Sequence, residues 1–545
     1  MKKRILLGNE AIAQGAVDAG LSGMYAYPGT PSTEITEYLQ KLPEVKNGEI
    51  KASWSVNEKV AVEEALGMSF AGKRSMAAMK HVGLNVAADA FINAAISGVN
   101  GGMVVVVADD PSQHSSQNEQ DSRYYGKFAM VPMLEPSNQQ EAYDMMAYAF
   151  DLSEKFQLPV LYRSVTRLSH SRSIVRVKDP EERRPQNDMH FPEDAKRFNL
   201  IPSYAKVQYR KLIDKQKALE EESETAGWNR FIEGTDHSLG IVVSGIAYNY
   251  LMENFTDKPL PYDVVKINQY PLPRKMLRRL FERNEKILII EEGYPFIEEL
   301  LADYLGFNDK VIGKLTGHLP RTGELNPNAV AVALGLEKPV EFEPPKLLAA
   351  RPPQLCPGCG HIDMYNEIKS LLPEIGDNHV FSDIGCYSLG VLPPFEAVDT
   401  IIDMGASVSM AKGAADAGVN PAIAVIGDST FTHSGMTGLL DAVWHKSPVT
   451  IIIADNSAVA MTGGQLSAAM GHLYDIAKGL GVEEEHIKVV IPLKKYFDKN
   501  VEILRKELAY QGPSVIIYQR PCVTMSNEMK QLAKKFNTLE PSYED

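Results

Sequence analysis

Pro421-Ala422-Ile423-Ala424-Val425-Ile426-Gly427-Asp428-Ser429-Thr430 is an apolar run that ends in a small residue and a carboxylate, with helix-like spacing from Phe431 onward. A strand apolar on both faces belongs inside a parallel sheet, and the turn into the next helix delivers its side chains to the sheet's carboxyl edge. Residues 449–454 repeat the pattern and end in Asp455-Asn456. Residues 103–108, 240–243, 286–290 and 513–518 are further Val- and Ile-rich runs separated by longer amphipathic stretches. This rhythm predicts an α/β protein with mainly parallel sheets. It is interrupted at 172–197, which is charged and carries several prolines, and at 337–353, with Glu343-Pro344-Pro345 and Arg351-Pro352-Pro353. Read as linkers, these divide the chain into three domains at 1–190, 191–345 and 346–545. The middle domain opens with a charged helical arm over 204–226.

Fifty-six basic and 70 acidic residues give a net charge of −14 without long single-sign blocks, which argues against a nucleic-acid partner. No run approaches the roughly 18 apolar residues of a membrane span. The amino-terminal apolar run stops at Gly8-Asn9-Glu10, too short for a signal-peptide core, so a cytoplasmic location is expected. Four cysteines in 545 residues cannot form a disulfide scaffold, and in a reducing compartment Cys356-Pro357-Gly358-Cys359 suits metal ligation. Cys386, in Asp383-Ile384-Gly385-Cys386, and Cys522, in Arg520-Pro521-Cys522, each follow a strand-like run, so all four thiols can converge on one sheet edge. Spacing leaves three outcomes open: a redox pair with two unrelated cysteines, a structural zinc, or an iron–sulfur cluster.

Asp428, the Asn456 amide oxygen and a nearby backbone carbonyl offer oxygen ligands for a Mg²⁺–diphosphate clamp. Gly427 is expected to let the backbone approach a phosphate. A strand-ending Asp that merely caps the next helix is the bland alternative. Asn456 followed by Met461-Thr462-Gly463-Gly464-Gln465 favours the clamp. In the first domain, Tyr27-Pro28-Gly29-Thr30 is a turn ending in hydroxyls, and Glu58 opens a helix where the macrodipole favours a carboxylate. His81 and Asn85 follow another strand end. The polar stretch from His114 to Arg123 is a substrate-loop candidate.

Tyr27-Pro28-Gly29-Thr30-Pro31-Ser32, Asn57-Glu58-Lys59, Met79-Lys80-His81-Val82-Gly83-Leu84-Asn85, Cys356-Pro357-Gly358-Cys359-Gly360-His361 and Gly427-Asp428-Ser429-Thr430-Phe431 occur in order along nearly the whole chain. Together they closely resemble the alpha subunits of the indolepyruvate-type thiamine-dependent 2-oxoacid:ferredoxin oxidoreductases. The resemblance implies a pyrimidine-binding thiamine domain first, a transketolase C-terminal-like domain second and a diphosphate-binding domain last. It implies thiamine diphosphate and Mg²⁺ as cofactors and coenzyme A as co-substrate. Glu58 matches the glutamate that hydrogen-bonds the cofactor's pyrimidine ring and activates it. Asp428, Asn456 and the carbonyl of Ala458 match the Mg²⁺ ligands; Gly29, Gly427, Ser429, Met461 and Thr462 join the cofactor-binding set. Thr30 and Arg123 look like substrate-carboxylate contacts, since a guanidinium can pair bidentately with a carboxylate, and His81 and Asn85 complete the catalytic set. Cys356, Cys359, Cys386 and Cys522 match the ligands of a 4Fe–4S cluster.

The implied reaction is oxidative decarboxylation of a 2-oxoacid, such as an aryl pyruvate, to acyl-CoA and CO₂, with electrons leaving through the cluster. The alternative is a non-oxidative thiamine-dependent decarboxylase. The implied partners are a smaller beta/gamma-type catalytic subunit and a second copy of this chain. The familiar alpha subunit continues into a ferredoxin-like domain with two further clusters, whereas no cysteine follows Cys522 here. Electrons are therefore expected to leave to ferredoxin, a ferredoxin-like subunit or another low-potential acceptor.

Overall fold

The structure, a computed structural model, describes residues 2–302, 308–337, 343, 345, 347–349 and 352–543. The chain packs as two compact units, 1–343 and 344–545. Most of the second predicted linker lies outside the described residues.

The first unit holds two large sheets and a two-stranded ribbon. The larger has seven strands in the order Gln269–Tyr270, Met133–Leu134, Val160–Val165, Met103–Asp109, Ser75–Lys80, Gly23–Ala26, Lys51–Trp54. All neighbours are parallel except the outermost Gln269–Tyr270, which runs antiparallel to Met133–Leu134. Its central strand Met103–Asp109 is buried throughout, as a run of four valines between two helical layers demands. The smaller sheet runs Val311–Ile312, Lys286–Ile290, Asp236–Ser244, Tyr262–Ile267, Arg230–Ile232, antiparallel only at its last strand. The predicted charged arm is the helix Pro202–Thr225, which buries Gln208, Leu212, Leu219 and Ser223, half-buries Lys215 and Glu222, and exposes most of its other charged residues.

One expectation needs correction here. The first predicted linker is not wholly irregular: Arg172–Val177 pairs antiparallel with Lys2–Leu7 as a two-stranded ribbon. Both strands carry exposed charges, and a ribbon half open to water has no apolar run to betray it.

The second unit is built on a six-stranded, all-parallel sheet in the order Thr400–Ile401, Val380–Ser382, Ala422–Gly427, Val449–Asp455, Ser514–Gln519, Ile487–Val490, and also holds the short antiparallel pair Ala458–Val459 and Gln465–Leu466. Gly427 pairs with Ala454 and Asp455 with Gln519, so the strands leading to Asp428, Asn456 and Cys522 end side by side. Among the described residues, no helix is long and apolar enough to cross a membrane.

Candidate active site

At the carboxyl edge of the seven-stranded sheet, successive strands release the residues the sequence singled out. Gly23–Ala26 leads to buried Gly29 and half-buried Thr30. After Lys51–Trp54, Asn57 caps the helix Glu58–Phe70 by accepting the Val60 N–H at 2.9 Å. Glu58 is 4 % exposed, so the helix start that usually faces solvent is turned inward. A Cβ on Gly83 would lie 2.6 Å from Glu58 Oε1. Glycine at 83 therefore lets the carboxyl lie against the first turn of the helix His81–Ser97, where backbone N–H groups favour negative charge. His81 is 1 % exposed; its Nε2 stands 3.2 Å from the Asn118 carbonyl oxygen, and its Nδ1 has no hydrogen-bond partner. Asp110 folds the following loop back by accepting from Ser115 N (2.8 Å), Ser116 Oγ (2.7 Å) and Thr166 Oγ1 (2.7 Å). The Ser115 hydroxyl in turn donates to the Thr30 carbonyl at 3.2 Å. Thr30, Glu58, His81 and the 114–118 loop thus share one edge. Asn85, one turn further along its helix, is exposed and accepts from the Tyr125 hydroxyl at 2.6 Å.

Arg123 does not join this group, which corrects its reading as a substrate contact. Its side chain is wholly buried, and its Nε donates to Asp121 at 2.9 and 3.1 Å. Its Nη1 lies 2.8 Å from Glu291 and 3.3 Å from the Tyr270 hydroxyl, while Nη2 donates to the carbonyls of Glu292 and Tyr294. Beside it, equally buried Arg163 pairs with Asp109 at 2.6 Å and with Glu135. Burial alone would raise the Asp121 carboxyl, yet the two guanidiniums hold it down at about 2. The carboxylates that Arg123 grips are the chain's own. With its donors committed, it ties the 121–135 region to the strand end at Glu291-Glu292.

In the second unit, Asp428 and Asp455 are both buried at adjacent strand ends. Burial, and then the Asp455 charge, push the Asp428 carboxyl up to about 8. Asp455 is well served: its Oδ1 accepts from Ser457 N (3.0 Å) and its Oδ2 from Gln519 Nε2 (3.2 Å). Asp428 Oδ2, by contrast, is a buried oxygen with no hydrogen-bond partner among the described residues. Asn456 is half-buried, with Oδ1 accepting from Ala458 N at 3.0 Å, and Ser429 is 8 % exposed. An orphaned carboxylate oxygen beside a second carboxylate, a carboxamide and a backbone carbonyl is a donor set that fits a hard divalent cation. Met461 is 51 % exposed, while Thr462 is half-buried and donates to Gln465 Oε1 at 2.8 Å. Gly427 has a different reason from the one expected: a Cβ there would come within 2.5 Å of the Tyr387 ring, so the space is filled by protein.

The four cysteines are free thiols, Cys356 exposed and the others half-buried. Burial pushes Cys386 up to about 12, reinforced by the charges of Cys522, Cys359, Cys356 and Asp428. Cys359 is likewise raised, chiefly by burial, though the His361 N–H donates to it and Arg520 opposes the rise. The sulfurs are therefore electrostatic neighbours. Among the described residues, however, no three of them fall within 4.8 Å of one another. A tetrahedral zinc with bonds of about 2.3 Å would draw them to separations of about 3.8 Å.

Sequence reasoning missed several groups at these edges. Lys80 sat inside a quoted motif but was given no role of its own. Asp383, pushed up to about 7 by burial, accepts from Ser407 Oγ at 2.6 Å and from the Tyr387 hydroxyl. The π-helical turn Phe431–Gly435, which buries His433 just after Asp428, has no periodicity of its own to read.

Residues 14–226 match the family described as pyruvate flavodoxin/ferredoxin oxidoreductase, thiamine diP-binding, and residues 383–517 match the thiamine pyrophosphate enzyme C-terminal TPP binding domain. The indolepyruvate oxidoreductase subunit IorA of Archaeoglobus fulgidus is 40 % identical over 98 % of this chain and 89 % of its own length. That of Methanothermobacter thermautotrophicus is 37 % identical over 97 % and 88 %. The 2-oxoglutarate synthase subunit KorA of Methanocaldococcus jannaschii is 25 % identical over 60 % of this chain and 98 % of its own. A solved 2-oxoglutarate:ferredoxin oxidoreductase from Magnetococcus marinus superposes with a TM-score of 0.51 at 18 % identity, covering 61 % of this chain and 65 % of that one, and so shares the fold. With near-full-length relatives at this identity and both thiamine-binding regions matched, the chain belongs to the indolepyruvate oxidoreductase subunit IorA family of thiamine-diphosphate-dependent 2-oxoacid:ferredoxin oxidoreductases.

Proposed function

We propose that this chain catalyses the oxidative decarboxylation of an aryl pyruvate such as indolepyruvate, yielding acyl-CoA and passing electrons through a 4Fe–4S cluster to ferredoxin or another low-potential acceptor. The observation that carries the oxidative half is the coupling of Cys386 to the other three cysteines and to Asp428. It favours a four-thiol site close to the residues read as holding the diphosphate end of the cofactor.

Bound thiamine diphosphate supplies a nucleophilic carbon and an electron sink for decarboxylation. In this reading Glu58, sealed from water against Gly83, keeps a hydrogen bond to the pyrimidine ring. Thr30 and His81 border the substrate, while Asn85 takes a supporting place through Tyr125. Asp428, Asn456 and the Ala458 carbonyl hold Mg²⁺, and Gly29, Gly427, Ser429, Met461 and Thr462 line the cofactor. Cys356, Cys359, Cys386 and Cys522 hold the cluster, whose bulk suits thiolates spread wider than one zinc requires. The seven-, five- and six-stranded sheets correspond to the pyrimidine-binding, transketolase C-terminal-like and diphosphate-binding domains. A smaller beta/gamma-type subunit and a second copy of this chain complete the enzyme.

The test is anaerobic purification with native partners, followed by iron analysis and assay of aryl pyruvates with coenzyme A and a dye acceptor. Four irons per chain, a reducible cluster signal and acyl-CoA as product are expected. Aldehyde formation by iron-free protein would instead make this a non-oxidative decarboxylase.

A further inference from the structure

We propose that Lys80 is the carboxylate anchor for the 2-oxoacid, filling the role that Arg123, sealed by Asp121 and Glu291, cannot. The assignment rests on the proposed function through Glu58, and it deepens that reading by naming the cation that recognises the substrate.

Lys80 is the last residue of the strand Ser75–Lys80 and immediately precedes the helix His81–Ser97. Its side chain crosses Gly29: a Cβ there would meet Lys80 Cδ and Cγ at 3.3 Å, so glycine at 29 gives the aliphatic stem its path. The ammonium donates to the Ser115 carbonyl at 2.8 Å, and the Ser115 hydroxyl reaches the Thr30 carbonyl. One cation thereby spans the two loops marked as substrate-facing, within electrostatic range of the Glu58 carboxyl. Among the described residues its charge lacks a direct counter-ion. Asp110 and Glu58 act on it only at a distance, and the Asp110 oxygens are already taken by Ser115, Ser116 and Thr166. Burial brings the ammonium down to about 8 despite those two acids. An ammonium has three donors, and the Ser115 carbonyl occupies one. The remaining two, at a half-buried position beside the cofactor-activating acid, suit the carboxylate of a 2-oxoacid and leave its keto carbon free to face the cofactor.

The experiment uses the holoenzyme with its partner subunits, prepared anaerobically as wild type, Lys80→Gln and Lys80→Arg. Thiamine diphosphate affinity is titrated first on each protein; KM for the 2-oxoacid and for coenzyme A and the inhibition constant of the neutral amide of the 2-oxoacid follow. Lys80→Gln is expected to raise KM for the 2-oxoacid at least about tenfold while leaving cofactor affinity, KM for coenzyme A and inhibition by the amide within about twofold. Lys80→Arg should recover most of the loss. An unchanged KM for the 2-oxoacid, or an equal weakening of the uncharged amide, overturns the anchor while thiamine binding stands. A wild-type protein that fails to bind thiamine diphosphate overturns the anchor and the proposed function together.

Discussion

The 2.6 Å separating a would-be Gly83 Cβ from Glu58 Oε1 leaves no room for even a methyl group. Gly83→Ala gains about 1 kcal/mol of helix propensity and yet must push the Glu58 carboxyl aside. The expected outcome is an unchanged circular dichroism spectrum with kcat lowered at least about tenfold; activity within twofold of wild type would remove Glu58 from the reaction. Glu367, on the helix Gly360–Ile375, is fully buried and accepts from Asn500 Nδ2 at 2.9 Å, and burial pushes it up from 4.5 to about 8. Because the folded state holds this proton more tightly than the unfolded chain, stability falls as pH rises from about 4.5 to about 8. Glu367→Gln should therefore match wild type near pH 5 and exceed it at pH 8 by on the order of 3 kcal/mol. Thermal unfolding at the two pH values checks this, and equal melting temperatures at pH 8 would refute it. At this scale the sequence was legible where a side chain is placed by its own strand, as at Asp428, buried directly after the apolar strand Ala422–Gly427. It misled at Arg123, whose partner Glu291 arrives from a distant strand and turns an apparent substrate contact into a buried tie.

Elements apolar on both faces announced themselves. The strands Met103–Asp109, Ala422–Gly427, Val449–Asp455 and Ser514–Gln519 all lie where their Val and Ile runs predict, because central positions in a parallel sheet admit little else. Elements held by edges and ion pairs did not. Gln269–Tyr270 is too short to show a pattern, and the join between the Arg123–Ala129 helix and the strand Lys286–Ile290 rests on buried charge as well as on apolar packing. Breaking that join by Arg123→Met leaves Glu291 without its ion-pair partner and Asp121 with Arg163 alone, at a cost of about 3–5 kcal/mol. Denaturant unfolding should register this loss, while KM for the 2-oxoacid in the surviving folded fraction stays near wild type. A KM rise without a stability loss would return Arg123 to the substrate.

For the whole molecule, the packing boundary near residue 343 matters more than the composition change near residue 190. A fragment ending at 190 loses the edge strand Gln269–Tyr270 from the larger sheet and leaves Arg123 without Glu291 and Tyr270. It also exposes Met133–Leu134 as an unpaired edge, an invitation to aggregate. The fragment 1–343 should be monodisperse by size exclusion, whereas 1–190 should precipitate or elute as aggregate; a soluble, folded 1–190 would show that its sheet stands without the middle segment. Composition marked the proline-rich, charged stretches but gave no sign that a strand from beyond the first of them belongs to the sheet before it.

The ribbon that joins Lys2–Leu7 to Arg172–Val177 also sets a clock on synthesis. As a nascent chain leaves the ribosome at about 5–20 residues per second, the first strand waits roughly ten to thirty seconds for its partner to emerge. Through that interval Leu6, buried in the folded chain, stands open to solvent and to holding chaperones, so the earlier-made strand is among the last elements to be secured.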